Sequence, residues 1–195
     1  MESRSELEKA LGELKRITGI SLTVSAGTPE EEKAAIAQIR CLCTAYKEKY
    51  NKTDFLYSLM VNGIPSYDIH ERAARLHIAP DEKRVLFLLE AKVIDETVTA
   101  ILKNLFPSQT RTYLVPMGET NLVVFRPVKT GENADSIRRT ARTIVDTLSM
   151  EALTQVKLAY SSFIDTLSEL SGAFRETSLA LKVVKLFYSE QTVFP

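Results

Sequence analysis

The 195-residue sequence has no long apolar run. Its longest unbroken stretches, such as VLFLL at 85–89, are far too short to cross a bilayer. The N-terminus, MESRSELEKALGEL, is charged and has a helical pattern, which is not typical of a secretory signal. The sequence therefore predicts a cytoplasmic protein without a membrane segment.

An excess of one charge is also missing, because 25 basic residues are matched by 25 acidic ones. A protein that works mainly by binding nucleic acid normally carries a basic surplus. The balance therefore excludes bulk attraction to phosphate as the main means of binding.

Cysteine is scarce, and the two residues present, Cys41 and Cys43, stand two apart. In a helix such residues point about 200° away from each other, at about 100° per residue. The spacing also differs from zinc and redox motifs, and Walker or Rossmann glycine patterns are missing. We expect two free thiols in a reducing compartment, with no metal and no bound cofactor.

Residues 1–80 have the patterns of helices only. Ser5 and Glu8 form a capping-box pattern ahead of a leucine face, which predicts a helix over 5–18. Thr28 and Pro29 suit the N-cap and the first turn of a second helix, which runs to about 50 or onward through 62. The sequence predicts a helical N-terminal segment over 1–80, with a possible role in dimerisation.

The second predicted helix carries a seam with heptad-like spacing. Its members recur every three or four residues: Ile36, Ile39, Cys43, Tyr46 and Tyr50. Such a seam needs a covering partner. Either the helix over 5–18 or the same helix of a second copy could cover it, and the second possibility predicts a homodimer.

Residues 81–195 alternate strands and helices. The predicted strands are 85–90, 112–116, 121–125, 155–161 and a short one in the terminal TVFP, and the predicted helices are 93–106, 133–148 and 166–188. The order β-α-β-β-α-β-α-(β) predicts a ferredoxin-like α+β sandwich with an added helix. We expect the hairpin of 112–116 and 121–125 to lie at the centre of the sheet.

Two stretches resemble a known family. ERAARLHI at 71–78, followed by a strand, resembles the junction that opens the GGDEF-like central domain of PucR/CdaR-type transcription regulators, and GAFRETSLALKVV at 172–184 resembles the late helix of that domain. The resemblance covers roughly 36–195. His77 stands where the family commonly has Gly, and Ala173 where it commonly has Ser. The resemblance implies a bacterial signalling protein with a GGDEF-like fold. It also implies a DNA-binding helix-turn-helix domain beyond Pro195, missing from this chain.

The stretch LVPMGETNLVVF at 114–125 lies where the resemblance implies the signature turn of a diguanylate cyclase. A cyclase needs glycines that let the backbone approach phosphates, and carboxylates that hold a divalent metal. Met117 replaces the first glycine, and Glu119 alone remains of the acidic pair. Glu90, which ends the first strand, could form a ligand or metal site with Gly118 and Glu119. The alternative is two exposed carboxylates at strand ends.

These observations predict a non-catalytic dimerisation and sensory module of a transcription regulator. In this interpretation DNA is bound only through the missing domain, and a small molecule acts as effector. The alternative is a small-molecule or nucleotide-binding module with a degenerate cyclase fold, and an active nucleotide cyclase comes third. Ser161 and Ser162 have no His or Asp arranged with them as a motif, so the sequence gives no support for nucleophilic catalysis.

Overall fold

The computed structural model describes residues 2–18, 21–25, 28–187 and 192–195. The chain divides into two units, Met1–Lys52 and Thr53–Pro195, and each is described by itself. The described residues contain six α-helices and one five-stranded mixed sheet. The mixed α+β class predicted from the sequence is therefore confirmed.

The first unit is built from α1 (Glu2–Thr18) and the beginning of α2 (Pro29–Met60). The start of α2 has reciprocal capping, because the Thr28 amide donates to the Glu31 carboxylate at 3.1 Å and the Glu31 amide donates to the Thr28 hydroxyl at 3.3 Å. Three residues from each helix form the buried core of this unit: Leu7, Ala10 and Leu14 with Ile36, Ile39 and Cys43. The helices thus stabilise each other by burying their apolar faces.

The sheet of the second unit has the order β2-β3-β1-β4-β5. Its strands are β1 (Arg84–Ala91), β2 (Tyr113–Pro116), β3 (Asn121–Pro127), β4 (Val156–Tyr160) and β5 (Val193–Phe194). β1 lies antiparallel between β3 and β4, β2 is antiparallel to β3, and β5 is parallel to β4. The apolar run of β1 is buried on both faces, as such a run predicts.

Helices cover the two faces of this sheet. α4 (Glu96–Leu105) and α5 (Ala134–Glu151) contribute to one buried cluster, into which Phe87 and Leu89 of β1 point. The last turns of α2, with α3 (Ser66–Arg75) and α6 (Leu170–Phe187), contribute to the other cluster with Leu86 and Leu88. Successive residues of β1 therefore alternate between two cores, following the period of two in a strand.

Side-chain caps determine where two of these helices begin. The Asp95 carboxylate accepts from the Val98 amide at 2.9 Å, so α4 begins at Glu96 and not at 93 as its apolar pattern predicted. Asn133 and Ser136 form a capping box at the start of α5. The prediction that α4 starts at 93 was wrong because Val93, counted as inward, is an exposed residue ahead of the cap.

The hairpin of β2 and β3 is not at the centre of the sheet, in contrast to the prediction. β2 is an edge strand, and β1 is central because both β3 and β4 pair with it. The division between the two units falls at Lys52/Thr53, within α2, and residues from 53–80 contribute to a core of the second unit. Within the described ranges, no helix has the length and apolar character needed to span a membrane.

Candidate functional site

The β2–β3 turn is hydrogen-bonded to the end of β1 and to the segment that follows it. The Met117 amide donates to the Asn121 carbonyl at 2.9 Å, which closes the turn. The Ala91 amide donates to the Thr120 carbonyl at 2.9 Å, and the Ile94 amide donates to the Glu119 carbonyl at 2.8 Å. These bonds hold the main chain of the turn beside the end of β1, where the sequence placed the candidate site.

Gly118 gives this turn its shape through its backbone conformation. Its φ is 114°, in a region that L side chains rarely adopt, and no atom lies within 4 Å of the position a Cβ would occupy. The glycine is therefore needed for its conformation rather than for a close neighbour. Met117, at the position of the missing first glycine, packs against the core cluster that α3 and α6 cover.

The substitution Gly118→Ala is expected to lower the free energy of unfolding by roughly 1–3 kcal/mol, because alanine is strained at this φ. Urea unfolding measures the change. Gly172→Ala is the matched control, since Gly172 is helical and also has open space at its Cβ position. Its stability should be unchanged or slightly raised. Equal losses in both variants would contradict the role assigned to the backbone of Gly118.

Glu90 is half-buried on the face of the sheet that α6 covers, and its carboxylate forms an ion pair with Lys185 of α6. In the sheet, Glu90 is in register with Asn121 of β3 and Lys157 of β4. Because directly paired residues of antiparallel strands share a face, these three side chains form a polar row across the sheet. The negative charge of Glu90 is therefore neutralised within the chain.

The side chain of Glu119 is exposed at the tip of the turn. The structure thus brings the main chain around Glu90 and Glu119 together, but a divalent metal at Glu90 would have to displace the Lys185 ammonium group. No group of three or more His, Cys, Asp or Glu residues in the described chain is placed to hold a metal ion. Two carboxylates, one of them ion-paired, fit a resident Mg²⁺ or Ca²⁺ poorly. The ligand or metal role of Glu90, Gly118 and Glu119 stays a prediction.

The seam of α2 is covered from within the chain. Ile36, Ile39 and Cys43 are buried against α1, Tyr46 is half-buried, and the side chain of Tyr50 lies outside the described residues. Of the two covering partners that the sequence left open, the structure supplies the helix of the same chain. Dimerisation through this seam stays a prediction, and it would require α1 to leave the seam.

Two buried arginines occupy neighbouring strands, and no sequence pattern predicted the burial of either. The Arg126 guanidinium donates two hydrogen bonds of 2.9 Å to the Glu132 carboxylate and lies 5.7 Å from the ring centre of Phe87. The hydrogen bond from Arg126 holds the pKa of Glu132 below its ordinary value of 4.5. This pair is a structural element of the core, far more buried than an ordinary surface ion pair.

Arg84 is enclosed at the start of β1. It donates to the Ala79 carbonyl and to the Glu82 carboxylate, both at 2.7 Å, and lies 5.6 Å from the ring centre of Phe125. Burial lowers the pKa of Arg84. Burial likewise raises the pKa of the nearby Tyr113. The only local sign of the buried arginine in the sequence is its position directly before the apolar run VLFLL at 85–89.

A cavity of about 520 Å³ lies in the second unit, away from the hairpin turn. The register separates the two places: Tyr160 at the cavity pairs with Phe87 in the middle of β1, whereas Asn121 beside the turn pairs with Glu90, three residues farther along β1. The lining comes from the start of α5, the end of β4, the middle of α6 and the chain end: Ala134, Ile137, Tyr160, Ser161, Ser162, Phe163, Glu176, Thr177, Ala180 and Pro195. These segments are far apart in sequence, so no local motif could reveal the cavity. We call it the α6 cavity.

Comparison with protein families gives a match to the GGDEF-like domain over residues 62–183, which is more than half of the chain. The chain belongs to the GGDEF-like domain family. The matched range of the GGDEF-like domain contains α3, the first four strands and the hairpin turn. The GGDEF-like part of the resemblance seen in the sequence is thereby confirmed, and the narrower PucR/CdaR assignment stays a prediction.

Other comparisons add little to this assignment. No curated protein matches the chain. Among solved structures, the chain is similar to the cytoplasmic N-terminal domain of subunit I, homolog of subunit a, of V-ATPase, at 15% identity and a TM-score of 0.27. That match covers 94% of this chain and spans 60% of the length of the other, and at this TM-score it carries no argument about the fold.

Proposed function

We propose that this GGDEF-like domain is a non-catalytic dimerisation and sensory module of a cytoplasmic transcription regulator of the PucR/CdaR type. DNA would be bound by a helix-turn-helix domain outside this chain. The ion pair between Glu90 and Lys185 is the observation that carries the non-catalytic part of the proposal. Lys185 is bound to the Glu90 carboxylate at the end of β1, the group that a cyclase would use to hold its metal ion.

The hairpin turn supports the same conclusion. To bind a nucleoside triphosphate, a turn needs a main chain that can approach the phosphates without side chains in the way. It also needs carboxylates that hold the metal ion. At this turn Met117 packs on the core, and Glu119 is the only acidic residue. Glycine at 118 is explained by the φ of the turn alone.

We assign a ferredoxin-like arrangement to β1 through β4 with their two crossover helices. The strand order β2-β3-β1-β4 and the antiparallel pairing of β1 with both neighbours support it.

Self-association would use exposed apolar residues of α6. Leu179 and Val183 are one helical turn apart and exposed there. Exposed apolar side chains that share one face are typical of protein interfaces. Two associated copies would place two DNA readers at a fixed spacing of one helical turn of DNA or a multiple of it.

Sedimentation velocity at increasing protein concentration tests the proposed self-association. We expect a dimer at high micromolar concentration, and we expect Leu179→Asp combined with Val183→Asp to shift it to monomer. Leu153→Asp is the matched control, because Leu153 is also strongly exposed but lies between α5 and β4 and not on α6. A wild type that stays monomeric at every concentration would contradict self-association.

The non-catalytic part is tested separately, by incubating the protein with GTP and either Mg²⁺ or Mn²⁺. We expect no cyclic nucleotide product. Product formation that is lost in Glu119→Ala would overturn this part of the proposal and leave the dimerisation result standing.

A further inference from the structure

We propose that the α6 cavity binds a small organic cation, with an apolar and preferably aromatic body and one protonated amine. The inference deepens the sensory part of the proposed function and rests on it for its regulatory meaning. Binding itself is measured independently of self-association. The cavity is separate from the hairpin turn, where a cyclase would hold its nucleotide.

The cavity lies at the edge of β4, next to the residues of β4 that pair with β5. β5 pairs Val193 with Leu158 and Phe194 with Ala159. Within the described residues, the edge of β4 beyond Ala159 has no neighbouring strand. The space beside Tyr160 is enclosed instead by the start of α5 and the middle of α6.

Its size and its walls suit a small organic molecule. A volume of about 520 Å³ lies within the range of about 300–1,000 Å³ that is usual for small-molecule sites. The side chains of Ile137 and Phe163 contribute apolar wall, and Tyr160 contributes a second aromatic ring. Ala134 and Ala180 keep the space open because their side chains are small.

The buried hydroxyl groups at the cavity already have partners. Thr177 Oγ1 donates to the Ala173 carbonyl at 2.7 Å. Ser161 Oγ donates to the Ser162 carbonyl at 2.7 Å and accepts from the Leu86 amide at 3.1 Å. Both hydroxyl protons are used within the fold, so neither group is free to donate a hydrogen bond to an anion.

Among the lining residues that the structure describes, Glu176 has the only charged side chain. Glu176 is an exposed residue, and its carboxylate forms no hydrogen bond or ion pair with any described residue. A carboxylate at the edge of an apolar cavity attracts a cation and repels an anion, and the aromatic walls also favour a cation. The cavity chemistry therefore selects an amine over a carboxylate or phosphate.

The position on α6 connects the cavity to the proposed dimer surface. Glu176 and Ala180 face the cavity, and Leu179 and Val183 of the same helix are exposed. A ligand that restrains α6 would thus act on the helix that carries the association surface.

Three probes of nearly the same shape isolate the contribution of charge. Phenethylamine is cationic, 2-phenylethanol is neutral and phenylacetate is anionic. In titrations followed by thermal shift and by calorimetry at one ionic strength, we expect phenethylamine to bind about tenfold more tightly than 2-phenylethanol, as a charge-assisted hydrogen bond predicts. Phenylacetate should not bind.

Variants assign the binding to this cavity. Glu176→Gln should reduce the affinity for phenethylamine to that for 2-phenylethanol. Glu151→Gln, which changes an exposed carboxylate at the end of α5, should leave the affinity for phenethylamine unchanged. Ala180→Leu fills the cavity from α6 and should abolish binding of both probes. Ala134→Leu fills it from the exposed start of α5, and gives the same test if Ala180→Leu does not fold.

The inference is overturned if phenethylamine gives no saturable effect at millimolar concentration, or if both cavity-filling variants bind it as the wild type does. A wild type that is dimeric in sedimentation but does not bind phenethylamine would contradict the effector site alone. Binding by a protein that remains monomeric removes self-association alone.

Discussion

Replacing Glu132 with alanine is expected to lower the free energy of unfolding of the second unit by about 3–5 kcal/mol. The side chain of Arg126 is only 5% exposed, and Glu132 accepts two of its hydrogen bonds. Arg126 Nε is also buried, without a partner in the described part of the chain. Removing the carboxylate leaves a guanidinium charge buried without its counter-ion, which is far more costly than losing a surface contact.

Urea unfolding of the variant and two comparisons test this expectation. The double variant Arg126→Met with Glu132→Gln removes the charge as well, so it should lose much less stability than Glu132→Ala alone. Glu71→Ala breaks an exposed pair with Arg75 four residues away and should change stability by no more than about 0.5 kcal/mol. Similar losses for Glu132→Ala and Glu71→Ala would contradict the buried role of the first pair.

The same pair predicts a dependence on pH. The pKa of Glu132 is lower in the folded state, chiefly because of the hydrogen bond from Arg126. Its stabilising contribution is therefore complete above the ordinary value of 4.5 and is lost as the pH falls through the folded-state pKa. Stabilities of the wild type and Glu132→Ala should accordingly converge in acid.

Phe125→Ala is expected to destabilise the second unit by about 3–5 kcal/mol. The ring is fully buried on β3, in the cluster that α3 and α6 cover, so its removal leaves a cavity. It also removes the aromatic face beside Arg84, whose guanidinium carbon lies 5.6 Å from the ring centre. Arg84 Nε is buried and has no hydrogen-bond partner in the described part of the chain.

Thermal and urea unfolding measure this loss, and the intermediate variant Phe125→Leu should recover part of it. Tyr67→Ala serves as the control, because Tyr67 is an aromatic residue that is 82% exposed. Its stability should remain close to that of the wild type. If Phe125→Ala cost no more than Tyr67→Ala, the ring would not be a core element.

Local patterns in the sequence were sufficient where the physical cause is local. The run VLFLL predicted a strand buried on both faces, and β1 has that burial. The Thr28-Pro29 start predicted the beginning of α2 because caps involve residues three positions apart. The resemblance at 71–78 and 172–184 predicted the GGDEF-like family, which the match over 62–183 supports.

Features that depend on long-range pairing could not be predicted in this way. Arginine is normally a surface residue, and Arg84 and Arg126 become buried only through strand pairing and a nearby carboxylate. The edge position of β2 follows from the order of strands in the sheet, which alternation along one strand does not encode. The α6 cavity is formed by residues from four segments of the chain. The division between the two units lies inside α2, where the helical pattern of the sequence is continuous.

The two arginine–phenylalanine contacts also restrict how β1 and β3 can pair. Arg84 of β1 lies over Phe125 of β3 on one face of the sheet, and Arg126 of β3 lies over Phe87 of β1 on the other. A shift of one residue would move either arginine to the opposite face, and a shift of two would separate each guanidinium from its ring. The contacts therefore favour the native register of these two strands, because only that alignment satisfies both at once.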